Sequence, residues 1–115
     1  MSAQSPIAAL CCNPVLTGPL PEQEAEELAA GLRVLADPVR LRILGMVRQA
    51  PDQRARTADL AGRLGVTQPT VSHHLGQLHD AGFLARERDG RQTWYSVVPA
   101  SFEAVRQVFA LDGDA

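Results

Sequence analysis

Lysine is absent from this sequence of 115 residues, in which all 11 basic side chains are arginine. Cysteine occurs only at Cys11 and Cys12, and two adjacent cysteines cannot cross-link a fold, so a cytoplasmic protein is expected. No apolar run is long enough to cross a membrane, and the first ten residues lack the basic start of a signal peptide. These absences argue against a membrane protein and against a disulfide-rich secreted protein.

The net charge of −2 at pH 7 argues by itself against nucleic-acid binding, but the charges are unevenly distributed. Residues 1–30 hold four acidic residues and no basic ones, whereas residues 31–63 hold seven arginines and three aspartates, a local charge of +4. Arginine suits phosphate and guanine because its guanidinium group is planar and donates two parallel hydrogen bonds. We attribute the missing lysines themselves to the composition of a GC-rich genome.

Apolar residues at helical spacing, together with helix-capping residues, predict four successive helices. These helices begin near Pro21, at Asp37 with Pro38, at Thr57 and at Thr67. The period then changes to two in residues 83–98, where Asp89-Gly90 is a strong hairpin signal, and a last helix covers residues 100–110. The prediction is therefore a mainly α fold with a small β-hairpin, in the order α-α-α-α-β-β-α.

The strongest functional signal is the stretch TADLAGRLGVTQPTVSHHL at residues 57–75. Two short helices are joined by a tight turn at Gly65, and Ala61 is small where the helices approach, which is typical of a helix-turn-helix. Polar side chains on the second helix are suited to phosphates and base edges, and Gln68 is suited to adenine. An ordinary solvated helix face is the alternative. The predicted DNA contacts in this region are Thr67, Gln68, Thr70, Ser72 and His73.

An arginine-rich hairpin follows the helix-turn-helix directly, and this order is typical of a winged helix-turn-helix. With Asp89-Gly90 as a two-residue loop, Arg88 and Arg91 flank the tip and are expected to reach backbone phosphate or a narrow minor groove. Solubility is the alternative role for these arginines, and only the hairpin's position after the helix-turn-helix favours DNA.

Four blocks of this sequence resemble the ArsR/SmtB family, and they occur in the family's order. They are LADPVRLRIL at 35–44, QPTVSHHL at 68–75, LHDAGFL at 78–84 and GRQTWYSV at 90–97. The resemblance covers residues 22–110. It implies a homodimer with the first and last helices packed between subunits, and a repressor that leaves its double-stranded operator DNA when a metal or metalloid binds.

On this basis residues 1–20 are assigned as an N-terminal sensor segment, 21–111 as the DNA-binding and dimerisation domain, and 112–115 as a tail. His73 is expected to point outward and His74 to be partly buried. A zinc site at this pair is not favoured, because adjacent residues of a helix point about 100° apart.

The resemblance also bears on the inducer. Many arsenic-responsive members carry a pattern like Cys-Val-Cys-Asp-Leu before the helix-turn-helix, and the matching residues 56–60 here, RTADL, have no thiol. Zinc-sensing members use acidic and histidine ligands on the last helix, which here has Glu103 and no histidine. The remaining candidate is Cys11-Cys12, which resembles the cysteine pair of some actinobacterial arsenic sensors, although this chain lacks the third cysteine that those sensors have. Thiolates prefer soft ions, so the expected inducer is trivalent arsenic, as arsenite or an organoarsenical, or antimony, with no organic cofactor.

Other roles for the two thiols stay open. A vicinal disulfide could sense oxidants or reactive sulfur, although its ring is strained, while cadmium or zinc would need four ligands. The cysteines could also have no role, in a DNA-binding module without a ligand. A thiol enzyme would need a cysteine polarised by a base or a helix N-terminus, and no base lies near the pair in sequence, so no catalytic residue is expected.

Overall fold

The computed structural model describes residues 19–110, so Cys11, Cys12 and the tail lie outside the described residues. The elements are α1 (Glu22–Leu35), α2 (Pro38–Gln49), β1 (Arg54–Ala55), α3 (Thr57–Leu64), α4 (Gln68–Asp80), β2 (Leu84–Asp89), β3 (Gln92–Val97) and α5 (Pro99–Val108). The predicted fold class and order of helices and hairpin are confirmed. The loop expected around Pro51 additionally contains a 3₁₀ turn, Pro51–Gln53, and the two-residue strand β1.

The start of α2 follows the predicted capping pattern. Asp37 is the N-cap, and its Oδ1 accepts the backbone N–H groups of Val39 (2.9 Å) and Arg40 (3.1 Å). The hydrogen bond from the Arg40 N–H, helped by that from Val39, holds the pKa of the Asp37 carboxyl below its ordinary value. Pro38, in the first helical position, has no N–H to satisfy.

The turn between α3 and α4 depends on Gly65, whose φ of 73° lies in the left-handed region. Its N–H donates to the carbonyl of Ala61 at 2.9 Å and ends α3. Thr67 occupies the N-cap position of α4, as expected, but its hydroxyl lies 3.0 Å from the hydroxyl of Thr70 and makes no side-chain cap bond to the backbone. The two helices are thus joined by Gly65, Val66 and Thr67 alone.

The three strands form an antiparallel sheet in the order β1-β3-β2. The predicted turn at Asp89-Gly90 is wrong by one residue, because Asp89 pairs with Gln92 and the loop is Gly90-Arg91. Of the two loop residues, only Gly90 has a positive φ (65°). This is the pattern of a type II′ turn, in which glycine occupies the first loop position. Arg91 therefore lies in the loop itself, and Arg88 lies within β2 rather than beside the loop.

The core lies where the helices meet the inner face of the sheet. Its fully buried side chains include Ile43, Val47, Leu60, Val71, Leu75, Leu78, Phe83, Leu84 and Val108. The predicted inward face of α4 (Val71, Leu75 and Leu78) is confirmed, each side chain being 0% exposed. No helix within residues 19–110 is long and apolar enough to span a membrane.

Candidate DNA-binding surface

The solvent-facing side of α4 carries the polar residues that were predicted to contact DNA. Gln68, Thr70, Ser72 and His73 are all exposed, as is Thr67 at the N-cap. The buried residues of α4 fix its rotation about its own axis. The polar residues of its first half are thereby presented to solvent together, with the unpaired N–H groups of the helix N-terminus beside them.

The hairpin extends from the C-terminal end of α4 and is fixed to it by buried backbone contacts. The N–H of Phe83 donates to the carbonyl of Leu78 at 2.9 Å, and the N–H of Val98 donates to the carbonyl of Phe83 at 3.1 Å. Phe83 is fully buried, and the hydroxyl of the buried Ser101 donates to the carbonyl of Gly82 at 2.5 Å. The exposed polar face of α4 and the wing (residues 84–97) therefore belong to one packed unit.

The wing carries one more candidate arginine than the sequence reasoning selected. Arg86 lies two residues before Arg88 on β2, so both point to the same face of the sheet. With Thr93 and Tyr95 they line an open cleft of about 410 Å³. The Nη1 of Arg88 donates to the hydroxyl of Thr93 at 3.2 Å, which orients its guanidinium group. Arg86 could have been predicted from Arg88, because residues two apart on a strand point to the same face of the sheet.

The opposite face of the wing holds an arginine–tryptophan cluster. The guanidinium carbons of Arg54 and Arg56 lie 4.1 Å and 4.9 Å from the centroid of the Trp94 ring, within cation–π range. Arg56 also donates to Gln92 Oε1 at 2.6 Å and forms an ion pair with Asp59 at 3.1 Å. The hydrogen bond from the Arg56 side chain lowers the pKa of Asp59. Residues 56–60, which match the thiol site of arsenic-responsive members, therefore connect α3 to the wing through the side chain of Arg56.

The three histidines lie in different surroundings. His73 is exposed, and His74 is partly buried, both as expected, while Nδ1 of His79 lies 3.3 Å from a carboxylate oxygen of Asp80. His74 accepts a hydrogen bond from Arg40.

No group of three or more histidine, cysteine, aspartate or glutamate side chains within residues 19–110 is arranged to hold a metal ion. Glu103, the acidic residue of α5, is bound by Arg106 at 2.7 Å and Gln107 at 3.0 Å, and these hydrogen bonds lower its pKa to about 2.

Comparison with known proteins identifies the family. A family model described as "Helix-turn-helix domain" matches residues 35–87. The chain is 36% identical over 90 residues to the "Probable mercury resistance operon repressor" of Streptomyces lividans, covering 74% of this chain and 70% of that protein. It is 30% identical over 82 residues to the "Arsenical resistance operon repressor" of Staphylococcus aureus, covering 71% and 76%. This chain belongs to the ArsR/SmtB family.

The ArsR/SmtB family comprises metal-responsive transcriptional repressors, which confirms the expectation that this chain is not an enzyme. The chain is also 38% identical over 81 residues to the transcriptional regulator NmtR of Mycobacterium tuberculosis, covering 70% of this chain and 65% of NmtR, slightly under two thirds. A solved structure, an ArsR-like transcriptional regulator of a Rhodococcus species, superposes with a TM-score of 0.63 at 27% identity, over 73% of this chain and 77% of that one.

Proposed function

We propose that this ArsR/SmtB-family protein is a cytoplasmic transcriptional repressor that binds operator DNA as a homodimer. Trivalent arsenic or antimony, bound by Cys11 and Cys12, releases it from the DNA. The observation that carries the DNA-binding part is the exposed polar half of α4 beside the wing, held on one core. The arsenic part rests on the cysteine pair and on the arsenical repressor among the relatives.

The DNA surface divides into residues that read bases and residues that contact the phosphate backbone. Gln68, Thr70, Ser72 and His73 on α4 enter the major groove, where Gln68 has the paired donor and acceptor that recognise adenine. Thr67 at the helix start contacts phosphate. Arg86, Arg88 and Arg91 on the wing contact phosphate or the adjacent minor groove, because their charge is suited to sequence-independent contacts.

The inducer follows from the chemistry of the thiol pair. Trivalent arsenic and antimony are soft and prefer thiolates, and two adjacent cysteines supply two of them. Arsenite would complete its coordination with hydroxide or a small thiol, whereas a methyl or phenyl arsenical already carries carbon in one position. Two thiols therefore favour an organoarsenical at least as strongly as arsenite. Because the pair lies shortly before α1, its ligation would act on the helix that the family packs between subunits.

The test is an operator-binding titration with arsenite, methylarsenite, antimonite, mercury, cadmium, zinc and peroxide. It uses the wild type, Cys11→Ser, Cys12→Ser and the double variant. Serine variants are expected to bind operator normally, because the pair precedes the winged helix, and to lose release by arsenite and methylarsenite, because one thiolate cannot chelate. Release by peroxide alone would make the protein a thiol-redox sensor. Release of the double variant by arsenite would place the site elsewhere.

The same assay separates the two kinds of DNA contact. Gln68→Ala is expected to relax discrimination at one base pair by roughly 1–3 kcal/mol. Arg91→Ala is expected to weaken binding to every sequence and to reduce the salt slope by about one unit. Unchanged operator affinity in both variants would contradict this placement of the DNA.

A further inference from the structure

One guanidinium group joins the corner between α1 and α2 to the middle of α4. The Nε–H of Arg40 donates to Nδ1 of His74 at 3.0 Å, across 34 residues of sequence. The Nη1 of Arg40 donates to the carbonyl of Val34, near the end of α1, at 3.2 Å. Both side chains of the Arg40–His74 pair are partly buried, so the contact is shielded from bulk water.

This hydrogen bond requires one protonation state of His74. Arginine has donors and no acceptor, so Nδ1 of His74 must present a lone pair, and the ring proton must sit on Nε2. A doubly protonated imidazolium has no lone pair left and carries the same charge as Arg40. Protonation of His74 therefore removes the contact and replaces it with repulsion.

Other ionisable groups lie on the elements around His74. Asp37, the N-cap of α2, has its pKa lowered chiefly by its backbone hydrogen bonds from Arg40 and Val39, and its carboxylate would attract a positive charge on His74. On α4 itself, the ring of His73 lies 5.9 Å away between centroids. On α1 and α4, Glu27 and Asp80 line a cleft together with Val34, the residue whose carbonyl accepts from Arg40.

We propose that the Arg40–His74 hydrogen bond positions α4 for operator binding, and that protonation of His74 breaks this bond and weakens binding. The proposal rests on the proposed DNA-binding function. His74 directly follows Ser72 and His73 on the helix that carries the DNA contacts, so losing its link to the α1–α2 corner lets the polar first half of α4 shift while its buried residues stay in the core. Arg40 and His74 are positioning residues, since neither belongs to the exposed polar face of α4.

The direction of the pH effect distinguishes His74 from the other two histidines. His73 is exposed on the DNA face and the His79 ring is about one-third exposed, so protonating either adds positive charge that attracts phosphate. Protonation of either residue would therefore make binding tighter. Loss of the Arg40–His74 contact makes binding weaker as the pH falls, so the two effects have opposite signs.

The test is the operator dissociation constant between pH 5.5 and 8.0 at constant ionic strength, with circular dichroism at each pH to verify folding. Relative to His74→Asn, the wild type is expected to lose about tenfold in affinity from pH 7.5 to 5.5, the size of a lost charged hydrogen bond. His74→Asn keeps an acceptor near the Nδ1 position but cannot be protonated, so it is expected to bind well at every pH. His73→Asn, the matched control, is expected to retain the acid weakening. Arg40→Met is expected to bind weakly even at pH 7.5.

An equal pH dependence of operator binding in His74→Asn and the wild type would overturn the proposal. A wild type that binds no operator at any pH would instead refute the proposed function. An independent readout does not depend on the variants folding. Long-range ¹H–¹⁵N spectra of the wild type at pH 7.5 are expected to show His74 with its proton on Nε2, and a proton on Nδ1 would contradict the contact.

Discussion

Asp37 is the side chain on which the start of α2 depends, because its carboxylate accepts two backbone N–H groups that the helix leaves unpaired. The same turn carries Arg40, whose side chain reaches both α1 and α4. A change at this single helix start therefore affects the packing of three helices.

The Asp37 cap gives a prediction about acid stability. Its folded-state pKa is below the ordinary value of 3.8, so its contribution is complete above that pH and is lost as the pH falls through the folded-state pKa. Asp37→Asn keeps a capping oxygen without the charge. We expect the wild type to be more stable than this variant at pH 6, with the difference shrinking below pH 4. Urea unfolding midpoints of both proteins measure it, and a difference independent of pH would be contrary evidence.

At the residue scale, the sequence predicts what local chemistry determines. The Asp37 cap, the left-handed Gly65 and the partly buried His74 all follow from neighbours in the chain. The Arg40–His74 contact could not be predicted, because its partners are 34 residues apart and meet only when α2 packs on α4. The cysteine pair lies outside the described residues, so its sensing role stays a prediction.

The helix-turn-helix, at the scale of secondary-structure elements, depends on an α3 that ends sharply. Gly65 supplies that end with a φ of 73°, a conformation in which a side chain is strained even though nothing lies within 4 Å of the position of its Cβ. Gly62 lies three residues earlier in the helical part of α3, also with open space around it. Gly62 within α3 and Gly65 directly after it thus make a matched pair.

Alanine at these two positions is expected to have opposite effects. Gly65→Ala forces a side chain into the left-handed region and should lower the free energy of unfolding by about 1 kcal/mol. Gly62→Ala removes backbone freedom from the unfolded chain in an exposed helical position and should raise it by about 0.5–1 kcal/mol. Denaturant unfolding of both variants is the measurement. Destabilisation by both would mean that the glycines serve close packing rather than backbone conformation.

The hairpin shows why the exact ends of strands are hard to predict from the sequence. Asp89-Gly90 and Gly90-Arg91 are both acceptable turns, and the choice is made by the pairing of the buried Leu84 with Val97 at the far end of the strands. Strand β1 was missed because two residues carry no periodicity and pair only with β3. The α4 helix was predicted well because its buried residues Val71, Leu75 and Leu78 repeat at helical spacing over two turns.

At the scale of the whole molecule, apolar surface remains exposed near the end of α5. Phe109 is 41% exposed, and Leu41 on α2 is 55% exposed. Phe102 and Val105 on α5 pack only partly against the core. This distribution agrees with the proposed homodimer, in which the first and last helices are covered by a second copy.

The dimer prediction can be tested at Phe109. Phe109→Glu should raise the dimer dissociation constant about tenfold or more, since a buried aromatic contributes roughly 1.5–3 kcal/mol. Gln49→Glu, at the exposed end of α2, adds the same charge and should leave the dimer unchanged. Sedimentation velocity over a micromolar concentration series measures both. A wild type that sediments as a monomer throughout would refute the dimer itself.

Trp94, the only tryptophan of the chain, gives the molecule an intrinsic optical signal. Its ring lies against two guanidinium groups, at 4.1 Å and 4.9 Å, and one of them belongs to the residue that immediately precedes α3. Emission from an indole depends on nearby charge and on solvent access. Fluorescence excited in the tryptophan band therefore reports, without any label, whether α3 and the wing keep their mutual contact while the protein binds or leaves DNA.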